Sequence, residues 1–299
     1  MKSESEQRYV DILSNAGFKA FFGDESNKDV VISLLNTLLP PHRQVKDIEY
    51  RPTENQGPVI GHSKDFQYDF LCRDLSGAMF IVEMQRYKEE SWFKRCVSYA
   101  SRAYDRQNKT GFDYDVPPVY LIGLMGVGID HPDKEYWMGR YVSEYTFREK
   151  GCHDLLDETI VIIFAELTRF QKSEDECITD QDRLLYLLKN SGQMRTPPKW
   201  GSEKPCRSIL DAFEIDDFSK EKRKQYNQDM YDEKRRNGEL AAARNDGREE
   251  GREEGREEGR EEGRIAAKLE DAKKFKELGV SAEIISQATG LSVDVIENM

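Results

Sequence analysis

Apolar and polar positions alternate most clearly between residues 66 and 86, in the segment FQYDFLCRDLSGAMFIVEMQR. The connection Leu75-Ser76-Gly77 suits a three-residue turn in which Gly77 takes the left-handed position. The strand after this turn has two faces, of which one carries Met79, Ile81, Glu83 and Gln85 and the other carries Phe80, Val82 and Met84. The pattern therefore predicts a β-hairpin that has two polar side chains on one face.

The turn also sets the register of the hairpin. If Asp74 pairs with Ala78, counting outward along both strands places Asp69 directly opposite Glu83. Like charges at facing positions destabilise a ladder by up to about 1 kcal/mol. Such a pair needs a compensating cation or a different register, and a bound divalent metal is the obvious compensating cation.

The remaining segments predict an α/β fold. Residues 17–39 begin with aromatic residues and a Gly-Asp turn, then continue as an amphipathic helix that is capped by Ser26 or Asn27. Because the apolar strand predicted at 119–125 follows a helix that itself follows the hairpin, we expect a crossover connection and a mixed sheet. The other predicted elements are strands at 45–50, 141–147 and 159–164, helices at 91–108, 180–189 and about 206–217, and a loop at 52–63.

The helix predicted at 91–108 has two different sides. Apolar residues lie along one side, and a cationic and aromatic stripe lies along another, formed by Arg95, Tyr99, Arg102 and Arg106. Arginine neutralises phosphate charge and tyrosine stacks or donates hydrogen bonds, so this stripe is a candidate nucleic-acid contact. A solvated helix face whose arginines pair with nearby acids explains the same pattern.

The C-terminal part of the chain is very polar and helical in pattern. Four copies of GREE begin at Gly247, and the repeat closes with Gly263-Arg264. Each glycine costs a helix about 1 kcal/mol relative to alanine, so we expect a marginal, solvated helix that acts as a spacer, with self-association as the alternative. A helix at 265–278 and two short helices follow, in an arrangement that resembles a helix-turn-helix. They predict a small module for docking or oligomerisation, or for reading DNA.

Composition narrows the classes of function. The 299 residues carry a net charge of −12, of which residues 246–264, with nine acids and five arginines, contribute −4. This balance argues against a protein that coats nucleic acid non-specifically. The five cysteines and four histidines lack metal-ligand spacing, which disfavours a zinc site. No apolar run approaches a membrane span and no signal-peptide core is found, so we expect a cytoplasmic protein.

The hairpin and the blocks around it resemble a known family. The segments that carry the resemblance are FKAFFGDESNKDVVISLLNTLL, KDFQYDFLCRDLSGAMFIVEMQ, FKRCVSYASRAYDRQ, PPVYLIGLM and FAELTRFQK, and they look like successive blocks of the PD-(D/E)XK nuclease family transposases, the recombination-promoting nuclease branch. The GREE spacer and the terminal residues are similar to tails of that branch. The resemblance implies a restriction-endonuclease-like mixed sheet flanked by helices in residues 1–217, a charged helical linker at 218–264 and a helical module at 265–299.

The resemblance further implies metal-dependent cleavage of DNA phosphodiester bonds. Asp69, Glu83 and the backbone carbonyl of Met84 would hold Mg²⁺, with Mn²⁺ as the alternative ion. Asp69, Glu83 and Gln85 would be the catalytic residues. Gln85 stands where the wider superfamily has lysine, and it brings no charge to the site, which agrees with weak activity.

The resemblance also bears on two single residues. Glu25 would supply the additional acid that many members carry near the first helix. Lys64, in the loop before Asp69, is a candidate replacement for the missing lysine, although an ordinary surface lysine is the simpler explanation of its position. The stripe formed by Arg95, Tyr99, Arg102 and Arg106 is the natural candidate to contact DNA phosphates, with the solvated helix face as the equal alternative.

Two functions from different classes therefore follow from the sequence. The first is a Mg²⁺-dependent DNA endonuclease whose breaks promote recombination or DNA mobility, with DNA as partner and no membrane. The second is a catalytically weakened nucleic-acid or protein-binding module. In the second function the acidic tail and the terminal helices would mediate assembly, including a homo-oligomer.

Overall fold

The computed structural model describes residues 7–55, 66–108 and 116–299 of the chain. The strands in these ranges are β1 (Ile48–Tyr50), β2 (Glu54–Asn55), β3 (Phe66–Gln67), β4 (Phe70–Asp74), β5 (Met79–Gln85), β6 (Val119–Met125), β7 (Val142–Arg148) and β8 (Leu155–Glu166). The α-helices are α1 (Asn15–Phe22), α2 (Lys28–Leu38), α3 (Trp92–Asp105), α4 (Asp180–Asn190), α5 (Cys206–Phe213), α6 (Lys220–Glu277), α7 (Ala282–Thr289) and α8 (Val293–Glu297). Lys64 and most of the loop predicted at 52–63 lie outside the described residues.

The hairpin of β4 and β5 has the predicted register. Phe70 faces Val82 and Cys72 faces Phe80 in an antiparallel ladder. At the turn, the backbone N–H of Asp74 donates to the carbonyl of Ala78 over 3.0 Å. Gly77 has a φ of 90°, the left-handed conformation that a glycine adopts at little cost. The turn chemistry read from the sequence therefore fixes which residues face each other.

Six of the strands form one mixed sheet, in the order β1-β4-β5-β6-β8-β7. Strands β5, β6 and β8 are parallel to one another, and α3 lies in the connection from β5 to β6. This is the expected crossover, since two adjacent parallel strands cannot be joined by a tight turn. The carboxyl ends of all three parallel strands meet at one edge of the sheet, where Gln85, Met125 and Glu166 are neighbours.

Each face of the sheet is covered by its own hydrophobic core. On one face Phe80, Val82 and Met84 pack with buried residues of α1, α2, α4 and α5. On the other face Ile81 packs with Trp92 and Cys96 of α3. The alternation along β5 therefore divides the strand between two cores, as the pattern predicts, and it places Glu83 and Gln85 on the α3 side.

Several element boundaries differ from the prediction. The aromatic segment before Gly23 is a separate helix, α1, whose Phe18, Phe21 and Phe22 are buried and stack against one another. Strand β1 is shorter than predicted and β8 is longer. Helix α6 runs without interruption from the charged segment through every GREE copy and into the helix predicted at 265–278. Ion pairs one turn apart, such as Arg264 with Glu261 at 2.8 Å, offset part of the glycine cost.

Contacts between residues divide the chain into two compact units, Met1–Glu233 and Lys234–Met299. The first turns of α6 belong to the first unit, where Tyr226 and Glu233 are buried. Within the second unit, Ala272, Ile285 and Ile296 form a small core. No helix in the described ranges is long and apolar enough to cross a bilayer.

Because the first unit contains both cores of the sheet, a chain that ends after Ala243 is expected to remain folded. Its thermal unfolding, followed by circular dichroism, should stay cooperative, with a midpoint within a few degrees of that of the full chain. The full-length protein is the control. Loss of a cooperative transition in the shortened chain would show instead that the tail is part of the folding unit.

Candidate active site

The open end of the hairpin brings two carboxylates together. Asp69 lies in a bend just before β4, and its backbone N–H donates to Glu83 Oε1 over 3.0 Å. In return, Asp69 Oδ2 accepts the backbone N–H of Met84, also over 3.0 Å. The bend places Tyr68 and Leu71 in the same core, which strict alternation would not allow. These reciprocal hydrogen bonds hold the carboxylates beside each other where the regular ladder ends.

Burial and like charge make this pair costly in its ionised form. Glu83 is only 2% exposed, and this burial, together with the nearby Asp69 carboxylate, raises the pKa of Glu83 well above its ordinary value. Asp69 is exposed as a residue, but protein atoms around its carboxyl group desolvate it and raise its pKa, while the Met84 hydrogen bond acts in the opposite direction. The site therefore favours any cation that can neutralise both groups.

Gln85 lies beside the carboxylates on the same face, at 7% exposure. Its Oε1 accepts a hydrogen bond from Arg95 Nη2 over 3.0 Å, and its Nε2 donates to the carbonyl of Tyr87. Arg95 also pairs with Glu89, at 2.8 Å between Nη1 and Oε2. The contact between Arg95 and Gln85 does not follow from the alternation along β5, because it depends on how α3 packs over the sheet.

The donor set at this edge fits a hard, largely hydrated cation. In the described parts of the chain, no group of three or more His, Cys, Asp or Glu side chains is placed to hold a metal. Two carboxylates, with a backbone carbonyl at Met84, are nevertheless the kind of sparse oxygen set that Mg²⁺ accepts while it keeps several waters. Zinc centres are built mainly from sulfur and nitrogen ligands, whereas Asp69 and Glu83 offer only oxygen.

The other predicted acid is not brought to this pair. Glu25 lies in a short 3₁₀ turn, Glu25–Asn27, and lines a surface cavity of about 700 Å³ together with Asp74 and Ser76. That cavity is at the turn end of the hairpin, whereas Asp69 and Glu83 are at the open end. A lysine that the sequence does not single out does act on the pair, since the charge of Lys19 on α1 opposes the rise in the pKa of Asp69 that desolvation causes. The effect of Lys19 on Asp69 depends on how α1 packs against the sheet, and no local sequence pattern predicts that packing.

The stripe on α3 runs along the same face of the sheet as the carboxylates. Tyr99 packs edge-to-face on Tyr68, at 5.3 Å between ring centroids. Desolvation raises the pKa of Tyr68 to about 12, and the charges of Arg106 and Arg102 oppose this rise. At its far end, Arg106 lines a cavity of about 590 Å³ with Arg51 and Arg73. The stripe therefore leads from the carboxylate pair to a group of three arginines.

A second buried polar cluster, which sequence spacing does not reveal, lies where β8 ends. Glu166 is fully buried and accepts the backbone N–H of Ile129 over 2.7 Å. Its other oxygen lies 2.7 Å from His131 Nε2 and 2.9 Å from Arg169 Nη1. The cluster anchors the loop after β6 at the same edge of the sheet as Gln85. Its role in the structure is to hold that loop in place.

Replacing Glu83 with Gln is expected to stabilise the metal-free protein at pH 7 by about 1–2 kcal/mol, because the amide keeps an acceptor for Asp69 without a buried charge. The folded-state pKa of Glu83 lies above the ordinary 4.5, so the folded chain binds this proton more tightly than the unfolded chain does. The free energy of unfolding should then fall as pH rises above about 4.5, and less steeply in Glu83→Gln.

Urea unfolding in EDTA at several pH values measures both effects. An exposed acid on the following loop, changed as Glu90→Gln, is the matched control. Identical pH dependence of the wild type and Glu83→Gln would contradict the description of Glu83 as a desolvated carboxyl group.

Comparison with known proteins agrees with this arrangement. The sequence matches the PD-(D/E)XK nuclease family transposase family over residues 13–242. No curated protein and no solved structure matches the chain significantly. The matched range covers the whole sheet and α3, and it ends before the GREE copies. The chain therefore belongs to the PD-(D/E)XK nuclease family transposases, and its function is nuclease-like and related to DNA.

Proposed function

We propose that this protein is a Mg²⁺-dependent DNA endonuclease that cleaves phosphodiester bonds and so promotes recombination or DNA mobility. One observation carries the proposal: Asp69 and Glu83 are held side by side by reciprocal hydrogen bonds although both are acids and Glu83 is buried. A protein that needed only a stable hairpin would gain by replacing one of them. A metal site explains why two acids occupy these positions.

Each residue of the pair has a definite task in this proposal. Asp69 and Glu83 would hold Mg²⁺, together with the backbone carbonyl of Met84, and Mn²⁺ would fit the same oxygen ligands. When bound, the ion would act as a Lewis acid beside the scissile phosphate. Gln85 would orient a water through its amide group. Because Gln85 brings no charge of its own, we expect slow cleavage.

The stripe on α3 supplies the proposed contacts to DNA. Tyr99, Arg102 and Arg106 recur at helical spacing along α3, on the face of the sheet that carries the carboxylates. Arginines in such a row neutralise successive phosphates and set the position of the duplex without reading its sequence. Arg95 begins the same stripe, but its two terminal nitrogens already bond Gln85 and Glu89. Two protein groups therefore already engage its guanidinium.

The C-terminal module is assigned to assembly rather than to DNA. Residues 265–299 contain four lysines and six acids, a net charge of −2 that does not suit a phosphate-binding surface. Leu278, Ile284 and Val295 are exposed apolar side chains on this module. We propose that they support self-association through the C-terminal helices.

The second function, a binding module with little or no cleavage, is favoured by one observation. Gln85 replaces the lysine of the superfamily, and both ends of its amide are engaged by protein groups. Such a protein would bind DNA or a partner through the same surfaces without cutting.

Purified protein is expected to nick supercoiled plasmid in Mg²⁺, and Asp69→Ala or Glu83→Ala should reduce nicking by at least about 100-fold, because each removes a metal ligand. Gel electrophoresis of the plasmid measures the rate. Glu90→Ala, which removes an exposed acid, is the control. Equal nicking by the wild type and both site variants would disprove the catalytic assignment. DNA binding without nicking by any protein would favour the binding module.

Changing both Arg102 and Arg106 to Gln is expected to weaken DNA binding and to lower the slope of log affinity against log salt by about 1–2. Fluorescence anisotropy with a labelled duplex at several salt concentrations measures this slope. Arg207→Gln, on α5 across the sheet, removes one positive charge from the opposite face and is the control. An unchanged slope in the double variant would exclude α3 as the phosphate-binding element.

A further inference from the structure

The missing lysine leaves the site without a positive charge of its own at Gln85. A lysine there would place an ammonium group beside the two carboxylates. A glutamine places a neutral amide there, which can orient a water but cannot balance charge. Any positive charge at that position must therefore come from another residue.

Arg95 is fixed at the position where that charge is needed. Its Nη2 donates to Gln85 Oε1 over 3.0 Å, and its Nη1 pairs with Glu89 at 2.8 Å. Its guanidinium also lies over the ring of Trp92, at 4.9 Å from the centroid. These three contacts hold the guanidinium in one orientation. A solvated surface arginine would not have a fixed orientation.

The hydrogen bond to Gln85 has two chemical effects. Arginine can only donate, so the guanidinium determines that the oxygen of the amide, and not its nitrogen, faces α3. A charged donor on the carbonyl oxygen also polarises the amide and strengthens its N–H groups as donors. The positive charge of Arg95 thus acts through Gln85.

We propose that Arg95 is a positioning residue which, through its hydrogen bond to Gln85, supplies the orientation and the positive charge that a lysine would supply in the superfamily. This inference rests on the proposed nuclease function. It differs from a role in phosphate binding, because Arg95 acts on the amide of Gln85 and not on the DNA backbone. The two roles predict different kinetic effects.

The first test uses Arg95→Gln and the conservative Arg95→Lys, with Lys94→Gln as the control from the adjacent exposed position. Arg95→Gln is expected to lower kcat about 10- to 100-fold, the range for losing a hydrogen bond from a charged donor, with the KM for DNA nearly unchanged. Arg95→Lys should recover part of the loss. A raised KM with unchanged kcat would overturn the inference and assign Arg95 to phosphate binding.

The second test measures metal binding without cleavage. Calorimetric titration with Mn²⁺ in the absence of DNA should give Arg95→Gln an affinity equal to or higher than that of the wild type, because a nearby positive charge is removed. An arginine that merely stabilised the local fold would, when lost, weaken metal binding and lower kcat together. That joint loss, with a lower midpoint of thermal unfolding, would overturn the inference.

The third test is a double-mutant cycle with Gln85→Lys. With lysine in place, the charge of Arg95 is redundant and repels the new ammonium group, so Arg95→Gln should be harmless or favourable in the Gln85→Lys background. The double variant is expected to cleave at least about 10-fold faster than Arg95→Gln alone. Equal harm from Arg95→Gln in both backgrounds would overturn the inference.

Failure of the inference can be told apart from failure of the proposed function. If the wild type cleaves and Asp69→Ala does not, the nuclease function stands whatever Arg95 does. If the wild type neither cleaves nor binds Mn²⁺, the proposed function fails, and the inference about Arg95 fails with it.

Discussion

The repulsion between two neighbouring acids is the constraint around which this site is built. The backbone N–H of Asp69 donates to the carboxylate of Glu83, and the backbone N–H of Met84 donates to the carboxylate of Asp69. These two hydrogen bonds fix both acids at the point where the ladder ends. Desolvation by the core beneath α3 makes the charge on Glu83 still more costly. The surrounding structure compensates with cations placed at a distance, of which Arg95 contributes to both carboxylates. A cation in direct contact would complete this compensation.

The topology of the sheet determines which other groups reach the pair. Because β5, β6 and β8 are parallel, their carboxyl ends converge, and the chain leaves β5 through a short loop directly into α3. The first turn of α3 then lies above Gln85, and its last turn lies near the hairpin turn. Glu166 and its partners hold the loop after β6 at the same edge. A nuclease-like site on this edge thus depends on a crossover that also builds the second core.

The hairpin could be predicted from the sequence, whereas the contacts between separate elements could not. Turn chemistry at Gly77 and alternation along β5 were enough for the register, the two faces and the pairing of Asp69 with Glu83. The helical spacing of Arg95 and Tyr99 gave the stripe on α3. The hydrogen bond between Arg95 and Gln85 joins two elements whose relative placement depends on core packing, so the sequence did not predict it. The electrostatic effect of Lys19 on Asp69 depends on core packing in the same way. The continuous course of α6 agrees with the helical pattern of the charged segment, and cooperative helix propagation explains how it tolerates the GREE glycines.

The reciprocal hydrogen bonds at the open end of the hairpin have a consequence for how the family can diverge. Asparagine at position 69 and glutamine at position 83 would each retain the oxygen that accepts the backbone N–H, so the last rung of the ladder would survive the loss of both charges. Alanine at either position would instead remove one of the two hydrogen bonds. A chain with amides at both positions could therefore keep this end of the hairpin intact. The shape of this edge of the sheet thus depends on the oxygen acceptors and not on the charges.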